Sequence, residues 1–248
     1  MLNSLTDKFN TFLKIDICKE NEKIIRNEIN NILLEINMLD HKKLDTDEMC
    51  MLSCISHSCR KKLCRLNNIL ICEKKRDFFF ECNLNALVYS LISACRAVTG
   101  SGIDKFELSL PENQIYISLS PNTINWCILN VISNYLLYSK NGKIKIKLKP
   151  LSDGVIISID GNCSLALDDI KFFSDIKYSG FSTIKHAVEL HKGKLFYLKD
   201  KERLTVNIFL PYSMNASKQY FPPDFIDLIC DKLSPIYTAL CDCCLYHF

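Results

Sequence analysis

The chain has 248 residues, 48% hydrophobic and 24% charged, with a formal net charge of +3. That is enough for two units that each bury a core, and it excludes a disordered or fibrous chain. The mild charge, with acids interspersed among the bases, gives no nucleic-acid surface. No apolar run is of membrane-spanning length and no leader opens the sequence, so a cytoplasmic protein without a membrane or sensor segment is expected. Fourteen cysteines in such a chain read mainly as small buried hydrophobes. The exception is the tail cluster Cys241, Cys243 and Cys244, whose spacing suits a soft metal but lacks a second pair to complete a zinc site.

Between Leu5 and Asp40 the residues Ile25, Ile29, Ile32, Leu33, Ile36 and Leu39 recur at helical steps, which predicts one long amphipathic helix. Residues 41–46 break it. Asp45 to Glu48 supply an N-cap and first-turn acids for a second stripe through Leu52, Ile55, Cys59, Leu63, Leu66 and Leu70. An antiparallel hairpin follows. Two helices do not cover such faces alone, so pairing of two hairpins into a four-helix bundle, and hence a homodimer, is expected.

From Asp77 the pattern is mixed. A helix is predicted from Leu84 to Val98, strands around 105–110 and 114–119, and a helix from Pro121 through Leu136 that stops at Asn141-Gly142. Alternation at Ile144, Ile146 and Leu148, then at Val155, Ile157 and Ile159, reads as a hairpin. A helix over 183–192, closed by Gly193, and strands over 194–198 and 204–210 complete an antiparallel or mixed sheet. The expected division is a helical hairpin over 1–76, an α/β unit over 77–212, and an appendage of short helices over 213–248. Phe225, Ile226, Ile229 and Ile236 of the appendage are expected to cover the hairpin or a sheet edge.

Five features occur in a particular order. Asn130 and Asn134 lie four apart on one helix face, with Tyr138 one turn on. Asp160 follows the strand through Ile159. Gly180 opens a helix ending Val188-Glu189-Leu190-His191-Lys192-Gly193, and Thr205 precedes Phe209-Leu210-Pro211. Together they resemble the ATP-binding domain of sensor histidine kinases and their gyrase and chaperone relatives. The resemblance implies an α+β fold in which an α/β-sandwich ATPase domain follows a dimerisation and phosphotransfer hairpin. It also implies that Asn134 binds magnesium and Asp160 accepts the adenine amino group. Asn130, Tyr138, Gly180 and Thr205 would complete the ATP site.

The same resemblance marks losses. Ile25 to Leu33 resembles the phospho-acceptor motif with Asn27 in place of the histidine, before Glu28, and an amide has no nucleophilic imidazole. His57 is the alternative acceptor, but only 20 residues separate it from Asp77, which puts it on the second helix. Most glycines expected in the nucleotide loops are displaced, and Tyr135 stands where a small residue is expected and crowds the adenine pocket. The expected function is a degenerate, non-catalytic histidine-kinase-like signalling protein that binds a response regulator or a partner kinase. The alternatives are a phosphotransferase using His57, or a kinase that retains weak binding of ATP with magnesium and acts on another chain.

Overall fold

A computed structural model describes residues 2–13, 21–39, 43–100, 105–139, 142–212 and 218–243. The predicted helical hairpin is present, as α2 (Glu22–Asn37) and α3 (Thr46–Glu73). The Asp45 side chain caps α3 by accepting from the Glu48 N–H, while Glu48 accepts from the Asp45 N–H, a reciprocal capping box. Ile25, Ile29, Ile32, Leu33 and Ile36 of α2 face Leu52, Ile55, Cys59, Leu63 and Leu66 of α3, all buried.

The first helix departs from expectation. Instead of one helix from Leu5 onward there are two, α1 (Leu2–Leu13) and α2, and Asp40 lies outside the described residues. Lys8 of α1 pairs with Glu35 near the end of α2, and Leu5 is buried in the same core as the hairpin. A chain that folds back over residues 27 apart cannot be one straight helix. The consequence is energetic: α1 covers part of the apolar surface that two helices leave open, with Leu5 buried and Phe9 packed on the hairpin core, while Ile24 and Leu34 of α2 stay exposed.

A second core lies beyond α3. Five strands form a mixed sheet in the order β2 (Phe106–Ser109), β4 (Ile144–Pro150), β5 (Gly154–Asn162), β7 (Arg203–Pro211) and β6 (Lys194–Asp200). Only β2–β4 is parallel; the other neighbours are antiparallel. Alternate residues such as Ile144, Ile146, Val155, Ile157, Ile159, Val206 and Ile208 point to one buried face. Packed there are α4 (Leu84–Thr99), α5 (Pro121–Tyr138) and α7 (Gly180–Leu190), and α6 (Leu167–Asp175) rests against α7. This is the expected α+β architecture, a helical hairpin followed by an ATPase-like mixed sheet with its helices on one face. The stop signal predicted for α5 falls partly on Asn141, outside the described residues; the helix itself ends at Tyr138 with Ser139 extended.

A small second sheet was not expected. It consists of β3 (Tyr116–Leu119), β1 (Phe80–Asn83) and β8 (Gln219–Tyr220), with β8 parallel to β1. The appendage thus covers a strand edge, and it also covers helices. In α8 (Phe225–Cys230) and α9 (Pro235–Ala239), Phe225 and Ile229 pack on the second core and Ile236 is fully buried, whereas Ile226 stays exposed. Arg60 of α3, itself buried, stacks on the Tyr237 ring with its guanidinium 5.1 Å from the centroid.

Candidate functional site

The helix α5 begins at Pro121, whose fixed φ suits the first helical position. It lays Val131, Asn134 and Tyr135 against Leu204 and Val206 of β7, Tyr197 of β6, and Phe181 and Ile184 of α7. Tyr135 fills the space between them. Its hydroxyl lies 3.0 Å from the Ile159 carbonyl oxygen and 2.6 Å from that of Leu204, and a methyl group on Gly161 would stand 3.2 Å from its ring. Burial is the main reason its phenol is pushed far above the usual tyrosine range, so it remains a neutral donor. What remains is a cavity of about 10 Å³, at the lower limit for one water molecule.

Of the other residues implied by the resemblance, Asn134 lines this cavity, and most of the rest are engaged in contacts of their own. Asp160 is paired with Arg203 and accepts from the Thr205 hydroxyl at 3.3 Å. Asn130 is buried and donates to the Trp126 carbonyl at 2.9 Å. A methyl group on Gly180 would lie 2.9 Å from the Asn130 side-chain oxygen and 3.9 Å from the Asn134 nitrogen, so α7 is seated directly on the paired asparagines. Asn134 Nδ2 is buried with no hydrogen-bond partner among the described residues. The Tyr138 carbonyl accepts from the Ser164 N–H and hydroxyl. The first turn of α7 is capped by Ser179, which accepts from the Ser182 N–H at 3.0 Å. Tyr135 thus occupies the space between α5 and β7, and the start of α7 is seated on Asn130 and capped by Ser179.

One displaced glycine left its backbone behind. Tyr178, where the resemblance expects glycine, keeps a left-handed φ of 64°, a conformation that costs a non-glycine residue about 1–2 kcal/mol. Contacts from the hairpin hold it there. The Tyr178 hydroxyl donates to Glu73 at 2.5 Å and its carbonyl accepts from Asn68 at 3.4 Å. Asn68 in turn accepts from the Trp126 indole at 2.8 Å. The His186 ring is 2.8 Å from the Lys74 carbonyl. The end of α3 is thereby bonded to both α5 and the start of α7.

On the hairpin, Asn27 is exposed on α2 and Glu28 beside it is half-buried. His57 lies on α3, as expected, and a helix-face count puts it on the polar side, yet it is half-buried, with Nε2 3.1 Å from an Asp242 carboxylate oxygen that also receives Lys61 at 3.0 Å. Asn27 and His57 thus sit on different helices, one bare and one covered. Nothing in the sequence pattern marks Tyr197 or Asn68. Each is one ordinary residue in a periodic segment, and its role comes from a contact across the fold.

No protein-family model matches the chain. Over 132 residues, half of this chain, it is 27% identical to the hybrid signal transduction histidine kinase E of Dictyostelium discoideum. The chain covers only 8% of that protein's length. Among solved structures it is similar to the histidine kinase AdeS of Acinetobacter baumannii, with a TM-score of 0.56 and 17% identity over 77% of this chain and 94% of that one. Full-length ShkA in complex with AMPPNP gives a TM-score of 0.60 and 13% identity, over 79% of this chain and 45% of ShkA. Histidine kinase ThkA in complex with response regulator protein TrrA gives 0.56 and 17%, over 78% and 59%. The chain therefore has the histidine kinase fold, a helical hairpin joined to an ATPase-like domain. Among the described residues no helix is long and apolar enough to cross a membrane.

Proposed function

We propose that this chain is a non-catalytic, histidine-kinase-like signalling protein that acts by binding a response regulator or a partner kinase. The observation that carries this reading is Tyr135, bonded across the space where the related fold would take adenine. Asn27 supports it independently, since a carboxamide cannot carry a phosphoryl group as an imidazole does. With both the donor site and the acceptor changed, what remains of the fold is its surface. The complex of ThkA with a response regulator supports a regulator as the partner. The exposed face of α2, with Asn27 beside Ile24, Asn31 and Leu34, is the surface we assign to that contact.

The test is calorimetric titration of the purified chain with ATP, with and without magnesium, paired with labelled-ATP phosphorylation of Asn27→His. We expect no heat of binding and no phosphohistidine in the variant. Magnesium-dependent binding that disappears in Asn134→Ala would replace this reading with a working nucleotide site.

A further inference from the structure

The fold brings Cys241 and Asp242, from the cysteine cluster of the tail, to His57 on α3, while Cys244 of that cluster lies outside the described residues. Cys241 is buried, the Asp242 and His57 side chains are each about one-third exposed, and a ring nitrogen of His57, Sγ of Cys241 and a carboxylate oxygen of Asp242 all lie within 4.8 Å of one another. We propose that these three residues bind a divalent transition metal, Zn²⁺ by their donor set, and that the metal clamps the end of the chain to α3.

The chemistry favours this ion. A neutral imidazole, a thiolate and a carboxylate are the nitrogen, sulfur and oxygen donors that Zn²⁺ takes at about 2.0–2.3 Å in a tetrahedral shell. Donors on one such shell stand closer together than 4.8 Å, so closing around the ion needs only side-chain adjustment. As the sulfur–metal bond forms, the Cys241 thiol releases its proton to solvent, while His57 and Asp242 bind as neutral imidazole and carboxylate. Lys61 lies 3.0 Å from the same Asp242 oxygen that His57 meets, and a carboxylate has a second oxygen with which to hold it while the first turns to the ion. The fourth position falls to water.

Two features distinguish the cluster from packing alone. Its residues come from segments 184 positions apart (57 and 241), which nothing short of the folded state places together. Its half-exposed flank also leaves a route from solvent. Held through Nε2, His57 would be closed to phosphorylation at that nitrogen. The inference does not depend on the reading of the nucleotide cavity.

The experiment is titration of the metal-stripped, reduced full chain with Co²⁺, followed by displacement with Zn²⁺. We expect one site per chain, with a thiolate charge-transfer band and the d–d bands of four-coordinate cobalt, both abolished by one equivalent of Zn²⁺. His57→Ala and Asp242→Asn should each weaken binding more than about tenfold, because even ligand-supporting contacts are worth that much. Both positions are partly exposed, so these variants decide the matter even if Cys241→Ser fails to fold. Exposed Cys50 and Cys54 are the control, and their joint change to Ser should leave the spectrum unaltered. Absence of a tight site, or equal affinity in His57→Ala and Asp242→Asn, would overturn the proposal.

Discussion

The hydroxyl of Tyr135 stands 2.6 Å from the carbonyl oxygen of Leu204, so the side chain that follows the second asparagine of α5 is bonded to the opposite wall of the cavity it crosses. Tyr135→Phe keeps the ring and should cost about 1 kcal/mol, the worth of one hydrogen bond. Tyr135→Ala removes the ring and should cost about 3–5 kcal/mol, read from urea midpoints. If the ring is also what excludes adenine, ATP should bind only to the Ala variant. Equal ATP affinity in the unsubstituted chain and in Tyr135→Ala would show that the ring is no plug.

Gly180 makes a second prediction, because its added methyl would meet Asn130 Oδ1 at 2.9 Å. The conflict is steric, since Gly180 has no positive φ to lose. Gly180→Ala should destabilise by about 1–3 kcal/mol, the usual cost of overpacking. Removing the opposing amide should relieve it, so Gly180→Ala in an Asn130→Ala background should cost less. A double-mutant cycle gives the coupling, and additivity would mean that α7 does not press on Asn130.

These residues show what was legible in the sequence. Asn130, Asn134 and Tyr135 sit at fixed helical spacings, and the sheet strands alternate with period two, so the second core could be anticipated from pattern alone. Three things could not. Residues 14–21, between α1 and α2, include no proline or glycine, so no breaker in the sequence separates the two helices. Strands β1 and β8 have four residues or fewer, too short for alternation to register, and β8 pairs 138 residues away from its partner; β3, expected within 114–119, gave no sign that it belonged to a separate sheet. The cover over His57 is likewise non-local: a helix-face count places the residue on the polar side, and only the tertiary fold brings Asp242 to it.

His191, in the segment that resembles the end of the family's last helix, is a structural residue with a pH signature. Its Nε2 accepts from the Ser120 N–H at 2.9 Å, which puts its proton on Nδ1, donating to the Ala187 carbonyl at 2.7 Å. Burial is the largest influence and lowers its pKa, against the Ala187 hydrogen bond and the Asp77 charge, which raise it. A histidine with a depressed folded pKa stabilises fully above its unfolded value, about 6.5, and less as pH falls below it, because the unfolded chain then binds more protons. Stability should therefore decline from pH 7 to pH 5. The decline should be shallower in His191→Gln, measured by urea midpoints at each pH; parallel profiles would remove His191 as the cause.

Asp77 acts lower on the scale. Burial works to raise its carboxyl, but hydrogen bonds from Thr123, Ser120 and Lys74 outweigh this and hold it below the usual aspartate range. Its contribution is present above about pH 3.9 and is lost as pH falls through the depressed folded value. Asp77→Asn should flatten the stability loss below pH 4, and because it removes a charge that raises the His191 pKa it should not make the decline between pH 7 and pH 5 any shallower.

Asn68 tests how the hairpin is joined to the sheet. It is buried, accepts from the indole of Trp126 and donates to the Tyr178 carbonyl, so one side chain of α3 bridges α5 and the loop before α7. In Asn68→Ala the indole N–H is left buried without that partner, at about 1–3 kcal/mol. Trp126 is the chain's single tryptophan, and its emission should shift to the red as water reaches the bond. The loss should be local. Hydrogen exchange should rise at the end of α3 and the start of α7, where Glu73 and Lys74 meet Tyr178 and His186, and stay slow in the core of Ile29, Ile36, Leu52 and Ile55. A uniform rise across both regions would mean that hairpin and sheet unfold as one unit, and that Asn68 is a core residue rather than the joint between them.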